Sequence, residues 1–297
     1  MIRPAVITDE ISQEFERALD VMLEYGVRDA ELRSLWGTNV LDLTTAQKER
    51  ARAALAARGM RVCSIASPIF KCNLYPDVPE GGTGPLHLAV ERPLEQQLAL
   101  LERAIELCRY FNTRLVRIFA FWRQCELTEQ VIADIVAAIE PAVRRAEQAE
   151  IVLGLENEHA CLLGTGRETA VVLETIGSPH LRAIWDPGNA FFLGETPFPD
   201  GYDAIRNYLT HVHVKDATRG ADGKPRWTVV GHGEIDFSGQ IGALVRDGYQ
   251  RLLSLETHYK PASGDPEEGS RHCLDGLLRL LREAGVQTPA SGSAIDI

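Results

Sequence analysis

Four short apolar stretches of the sequence end on groups able to do chemistry. IVLGLENEH delivers Glu156 and Glu158, LRAIWDPGN delivers Asp186, THVHVKD carries His211, His213 and Lys215, and LLSLETH delivers Glu256. Taken one at a time, each has an ordinary explanation. Asp186 before a Pro-Gly-Asn turn is a turn former or helix cap, Glu156 or Glu256 is a loop-entry acid paired with an arginine, and His213 is a satisfied core histidine. Brought to one small rim, however, three carboxylates and an imidazole repel unless a cation sits among them. Glu156, Asp186, His213 and Glu256 are therefore candidate ligands of one divalent ion. Such hard, oxygen-rich donors suit Mn²⁺, Mg²⁺ or Co²⁺ and tolerate Zn²⁺, and no nearby thiolate suggests a structural zinc.

Gathering them requires that each stretch be a strand and that all the strands point the same way. Eight apolar runs read as strands: residues 4–8, 29–33, 61–66, 114–119, 151–156, 181–185, 210–215 and 252–256. Between them lie helical patterns with recognisable ends. Thr44 with Gln47 and Thr165 with Glu168 have capping-box spacing, Pro93 suits a first helical turn, and glycines such as Gly177 and Gly285 follow the helices. Strict alternation of strand and helix demands parallel strands with crossover helices, and eight units close a single (β/α)8 TIM barrel. A doubly wound open sheet is the alternative, but neither G-x-G-x-x-G nor G-x-x-x-x-G-K-[ST] follows the first strand. The expected barrel covers residues 1–287, with 288–297 a C-terminal tail. In such a barrel, chemistry sits at the C-terminal ends of the strands, where these acids and histidines fall.

Composition narrows the partners. Lys plus Arg number 31 against 42 Asp plus Glu, a net charge of −11 that repels a nucleic-acid backbone. The start MIRPAVITDEIS is too polar for a secretory leader and no run approaches the about 20 apolar residues of a membrane span, so a cytoplasmic protein without membrane or nucleic-acid partners is expected. Six scattered cysteines without a C-x-x-C pair read as reduced, mostly buried residues. Around the strand ends stand candidate substrate contacts: Glu158, Lys215 and His211 beside the proposed ligands, His232 between glycines in VGHGEIDF, and Arg117. The planar fork of Arg117 suits a phosphate or carboxylate, with Phe119, Phe121 and Trp122 as a sugar wall. Arg33, Lys71 and Lys260 are further cations near strand ends, and Trp36, Phe70 and Trp227 are loop aromatics able to close over a ligand or to pack in the core.

Read in order, LENEH, WDPGN, HVHVKD, VGHGEIDF and LSLETH resemble the strand-end motifs of the xylose-isomerase-like TIM barrels, the sugar phosphate isomerase/epimerase superfamily, over about residues 1 to 285. The resemblance implies a divalent-metal-dependent isomerase or epimerase acting on a sugar or sugar phosphate. In it Glu156, Asp186, His213 and Glu256 hold one ion, and Glu156 and Glu256 also move protons across an enediolate. Where several epimerases carry a histidine three residues beyond the metal aspartate, this sequence has Asn189, which is still able to donate to a substrate hydroxyl. A homo-oligomer, a dimer or a tetramer, is also expected. Three alternatives stay open: a metal-dependent dehydratase or lyase on a polyol or hydroxy acid, a non-catalytic sugar-binding barrel, and an endonuclease IV-like DNA repair enzyme. The last needs extra histidines, which the ends of strands 3 and 4 lack.

Overall fold

The structure is a computed structural model that describes residues 1–78, 84 and 86–287. All eight expected strands form: β1 (Arg3–Ile7), β2 (Asp29–Leu32), β3 (Arg61–Ile69), β4 (Leu115–Ile118), β5 (Val152–Glu156), β6 (Leu181–Trp185), β7 (Leu209–Val214) and β8 (Leu252–Leu255). They pair in parallel and in sequence order, and β1 joins β8 through Arg3–Leu252 to Val6–Leu255, closing the barrel. The parallel arrangement follows from the crossover helices: α1 (Phe15–Glu24), α2 (Thr45–Ala57), α3 (Gln97–Phe111), α4 (Glu129–Ala149), α5 (Gly166–Ile176), α6 (Pro187–Phe192), α7 (Phe237–Arg246) and α8 (Pro266–Glu283). The proposed tail, residues 288–297, lies outside the described residues.

Local sequence explains where the helices start and stop. Thr44 with Gln47 and Thr165 with Glu168 form full capping boxes at α2 and α5, satisfying orphan backbone donors at both starts. Pro93 sits one step earlier than expected, before a 3-10 turn over 94–96 that leads into α3. Two antiparallel ribbons leave the barrel: Ser34–Leu35 with Thr38–Asn39 after β2, and Asp216–Arg219 with Pro225–Thr228 after β7. The second carries Trp227 over the C-terminal mouth.

The barrel interior is unusually polar. Glu31, Arg117, His211, His213 and Glu156 are buried strand residues, each at most 3% exposed. Buried charge of this density requires pairing, and that pairing builds the site.

Candidate active site

Asp186 takes the capping role its sequence context allows and keeps one oxygen free of it. It is the N-cap of α6: Oδ1 accepts the Asn189 N–H at 2.8 Å, while Oδ2 points to the barrel axis. Asn157 pins the turn, since its Oδ1 accepts from Asp186 N and its Nδ2 donates to Asp186 O. Gly188 is required by close packing, because a Cβ there would lie 2.7 Å from Lys215 Cγ and 2.9 Å from the Trp227 ring.

Around Asp186 Oδ2, the expected ligands converge. Donor atoms of Glu156, Asp186, His213 and Glu256 lie within 4.8 Å of one another, and all four residues are buried. His213 Nδ1 is the hub, at 3.0 Å from Glu156 Oε1, 3.5 Å from Glu256 Oε2 and 4.0 Å from Asp186 Oδ2. Its other nitrogen, Nε2, lies 3.3 Å from both carboxylate oxygens of Glu31, which also holds His211 Nε2 at 3.0 Å. A proton kept on Nε2 by Glu31 leaves Nδ1 as the nitrogen that presents a lone pair to a cation.

Four fixed cations thread this acid cluster. Lys215 Nζ lies 2.9 Å from Glu256 Oε2 and 3.0 Å from Asp186 Oδ2; Arg117 Nη1 lies 3.2 Å from Glu156 Oε2; Lys71 Nζ lies 3.1 Å from Glu158 Oε2. Arg33 joins Asp9, Glu10 and Glu256. Against Arg33, Lys71, Arg117 and Lys215 stand seven carboxylates, those of Asp9, Glu10, Glu31, Glu156, Glu158, Asp186 and Glu256, a surplus of three negative charges. Protons answer that surplus. Burial, opposed by Lys215 but reinforced by Glu156 and Glu256, pushes the Asp186 carboxyl up to about 6. His213 is held well above the ordinary imidazole range, since Glu156 and Glu31 outweigh its burial. The donor set fits a divalent ion on charge and on ligand type. It fits in detail too, because Glu156 Oε2 and Asp186 Oδ2 are buried and accept no well-formed hydrogen bond.

The remaining expected contacts are spread over different places. Glu158 is at the rim, between Lys71 and His159. Asn189 is buried there as well, but its amide is engaged: Nδ2 donates to Asn157 O, and Oδ1 faces His159 Nδ1 at 2.8 Å. Lys215 lies inside the acid cluster. His211 lies deeper in the barrel, on Glu31. Arg117 is a clamp where the sequence suggested an open fork: its Nε and Nη2 donate to Ser67 O and Ala66 O, and its guanidinium covers Phe119. His232 is exposed on a loop that packs on α8, where Gly231 O receives Arg279 and Val230 abuts Gly276, and that loop's backbone is tied down by Asp216. Of the loop aromatics, Trp36 packs on Phe15 and Phe70 is core, whereas Trp227 stacks on Phe192 at 4.0 Å over the mouth. A cavity of about 520 Å³ opens there, lined by Trp227, His87, His258 and Lys260 among others.

Glu31, His159 and His258 did not stand out from the sequence. Asp29, Glu31 and Arg33 alternate along a strand that should be apolar on both faces, a signal that was available for Glu31. His159 and His258 sit three and two residues beyond Glu156 and Glu256, a proximity that could have marked them as rim residues.

A closed parallel barrel with a buried acid cluster at its C-terminal rim defines a (β/α)8 protein with a candidate metal-binding site there. The chain matches the model of the xylose isomerase-like TIM barrel family over residues 19–281 and belongs to that family. It is similar in fold to L-ribulose 3-epimerase, with a TM-score of 0.72 at 19% identity over 96% of each chain. It is also similar to the IOLI protein with a bound zinc atom, with a TM-score of 0.73 at 13% identity over 95% of this chain and 99% of that one. A third likeness is to the probable 3-DHS dehydratase AsbF from Bacillus anthracis, with a TM-score of 0.69 at 17% identity over 93% and 98% of the two chains. No curated protein matches the sequence. No described helix is long and apolar enough to cross a membrane.

Proposed function

We propose that this protein is a divalent-metal-dependent sugar isomerase or epimerase in which Glu156 and Glu256 transfer the proton. The observation that supports this most is the pair of buried glutamates, from β5 and β8, meeting around His213 and Asp186. Glu156, Asp186, His213 and Glu256 would hold the ion, with Mn²⁺, Mg²⁺, Co²⁺ or Zn²⁺ compatible with the donors. A bound dication supplies Lewis acidity that makes a C–H beside a carbonyl acidic, by stabilising the enediolate left when its proton departs. One glutamate takes that proton and the other returns it to the opposite face, giving an epimer; return to the neighbouring carbon interconverts aldose and ketose. Trp227 and Phe192 offer the stacked wall against which the apolar face of a sugar ring or chain packs. All four rim cations already hold carboxylates, which favours a neutral sugar; a terminal phosphate would meet Lys260 at the mouth.

One observation also supports a dehydratase. His159 Nδ1 lies 2.9 Å from Glu158 Oε1, and although burial opposes it, Glu158 draws its proton affinity up, making it an acid able to protonate a departing hydroxyl.

Incubating metal-loaded protein in D₂O with neutral sugars, their phosphates and hydroxy acids tests both. Epimerisation or isomerisation places solvent deuterium on a carbon next to the carbonyl, whereas dehydration yields a product lighter by water. Glu156→Gln and Glu256→Gln should each lower turnover by at least ~10², the scale of a lost general acid or base, while retaining some ion through the amide oxygen. Near-normal exchange in both variants would refute the proton-transfer assignment.

A further inference from the structure

The opposite end of the barrel presents the inverse charge problem. At the N-terminal ends of β1, β2, β3 and β4, a cavity of about 670 Å³ is lined by Arg3, Arg52, Arg61 and Arg114, with Asp29 as the one carboxylate among its lining residues. Asp29 Oδ2 serves both Arg3, at 3.2 Å, and Arg61, at 3.0 Å. Arg52 and Arg114 meet no carboxylate within 4.0 Å among the described residues. Arg52 is instead held over the ring of Tyr110, 4.7 Å from its centroid, and Tyr110 also lines the cavity. The Tyr110 hydroxyl is buried and has no hydrogen-bond partner. A second cavity of about 260 Å³ shares Arg3 and Arg114 and adds Arg251. In a chain of net charge −11, five arginines gathered around one carboxylate form a local patch of positive potential that attracts an anion.

We propose that this basal cavity is a second binding site, separate from the rim, for a small multivalent oxyanion. Planar guanidinium forks on several sides match the paired oxygens of phosphate or carboxylate groups. Two anionic groups fit better than one, because Arg3 and Arg61 share Asp29 on one side while Arg52 and Arg114 stand without a carboxylate. Since the site lies at the end of the barrel opposite the acid cluster, the inference does not depend on the reaction proposed there.

Calorimetry of the full chain with pyrophosphate and with citrate, at an ionic strength of about 0.15 M, tests it. Saturable binding of either is expected, and the arm that binds more tightly separates a phosphate source from a polycarboxylate source. The double substitution Arg52→Gln, Arg114→Gln should weaken it by about tenfold or more, the scale of a lost charge-assisted contact. Asp186→Ala, at the other end of the barrel, should leave it unchanged. Arg52→Lys, Arg114→Lys keeps the charge without the fork and should bind with intermediate affinity, which covers the case in which the glutamine variant folds poorly. Absence of saturable binding to both anions, or binding that persists in a folded glutamine variant, would overturn the proposal.

Discussion

The two ends of this barrel carry opposite charge at very different depth. At the C-terminal rim, seven carboxylates and four cations are packed with their side chains about a tenth exposed or less, and nearly every oxygen has an assigned neighbour. At the base, Arg3 and Arg61 have side chains 49% and 62% exposed, and water screens them. Coulomb interactions at the rim act through low dielectric, so removing one partner strands another. At the base the same change is buffered by solvent. The rim is a tightly coupled, desolvated unit, whereas the base is a set of loosely coupled, solvated charges.

Arg117→Ala should produce the largest stability loss. It strands Glu156 Oε2 and leaves Ser67 O and Ala66 O without a donor, and breaking a buried pair by removing one partner costs about 3–5 kcal/mol. Urea unfolding checks this. Near-wild-type stability, together with a higher KM confined to anionic substrates, would instead make Arg117 the open substrate fork that its sequence context suggests.

Glu31→Gln tests the next largest effect. The amide is nearly the same size but exchanges a charged acceptor for one that is half donor, so His213 loses its fixed tautomer. Divalent-ion affinity should fall by about 10–100-fold, the usual cost of losing an outer partner of a ligand. The ¹⁵N shifts of His213 in the ion-free protein should move from imidazolium values toward those of a neutral ring, because Glu31 helps to hold its proton. Unaltered affinity and shifts would leave Glu31 a partner of His211 alone.

Much of this arrangement was legible in the sequence, for identifiable reasons. The eight strands and their closure into a barrel follow from eight apolar runs separated by capped helices, and period-two alternation puts His211 and His213 on one face. Asp186, Glu156 and Glu256 could be placed because strand ends deliver side chains to a known rim. What could not be read was depth. His211 and His213 share a face but lie at different levels, so His213 bridges Glu156 and Glu31 while His211 meets Glu31 alone. Arg117 looked available because adjacent aromatics suggested a pocket, yet the carbonyls that saturate it come from β3, about fifty residues away. The destination of His232 was equally hidden, since Asp216 and α8, not its flanking glycines, decide where its loop lies.

Ion uptake should release protons, a smaller effect whose sign is fixed. His213 binds its proton well above the ordinary imidazole value of about 6.5, and Asp186 holds its own up to about 6. Both protons occupy donor atoms an ion needs, so affinity should fall as pH drops through neutrality and fall further below about 6. Titrating Mn²⁺ at pH 7 in buffers of different ionisation enthalpy should show close to one proton released per ion. No release would mean that His213 is already neutral, and hence that the acid surplus at the rim is compensated elsewhere.

The smallest effect is expected at the base and tests the contrast itself. Arg3 pairs with Asp29 at 3.2 Å, a distance close to that of Arg117 from Glu156, but the Arg3 side chain is 49% exposed against 4% for Arg117. If burial, and not distance, decides the worth of an ion pair, Arg3→Ala should cost at most about 1 kcal/mol and its effect should shrink further with added salt. Asp29 remains held by Arg61, so no charge is stranded. A double-mutant cycle on Arg3 and Asp29, run at low and high salt, gives the pair term directly. A coupling as large as the loss at Arg117, insensitive to salt, would mean that the basal arginines are themselves rigidly coupled to the barrel, and the division into a desolvated rim and a screened base would fail.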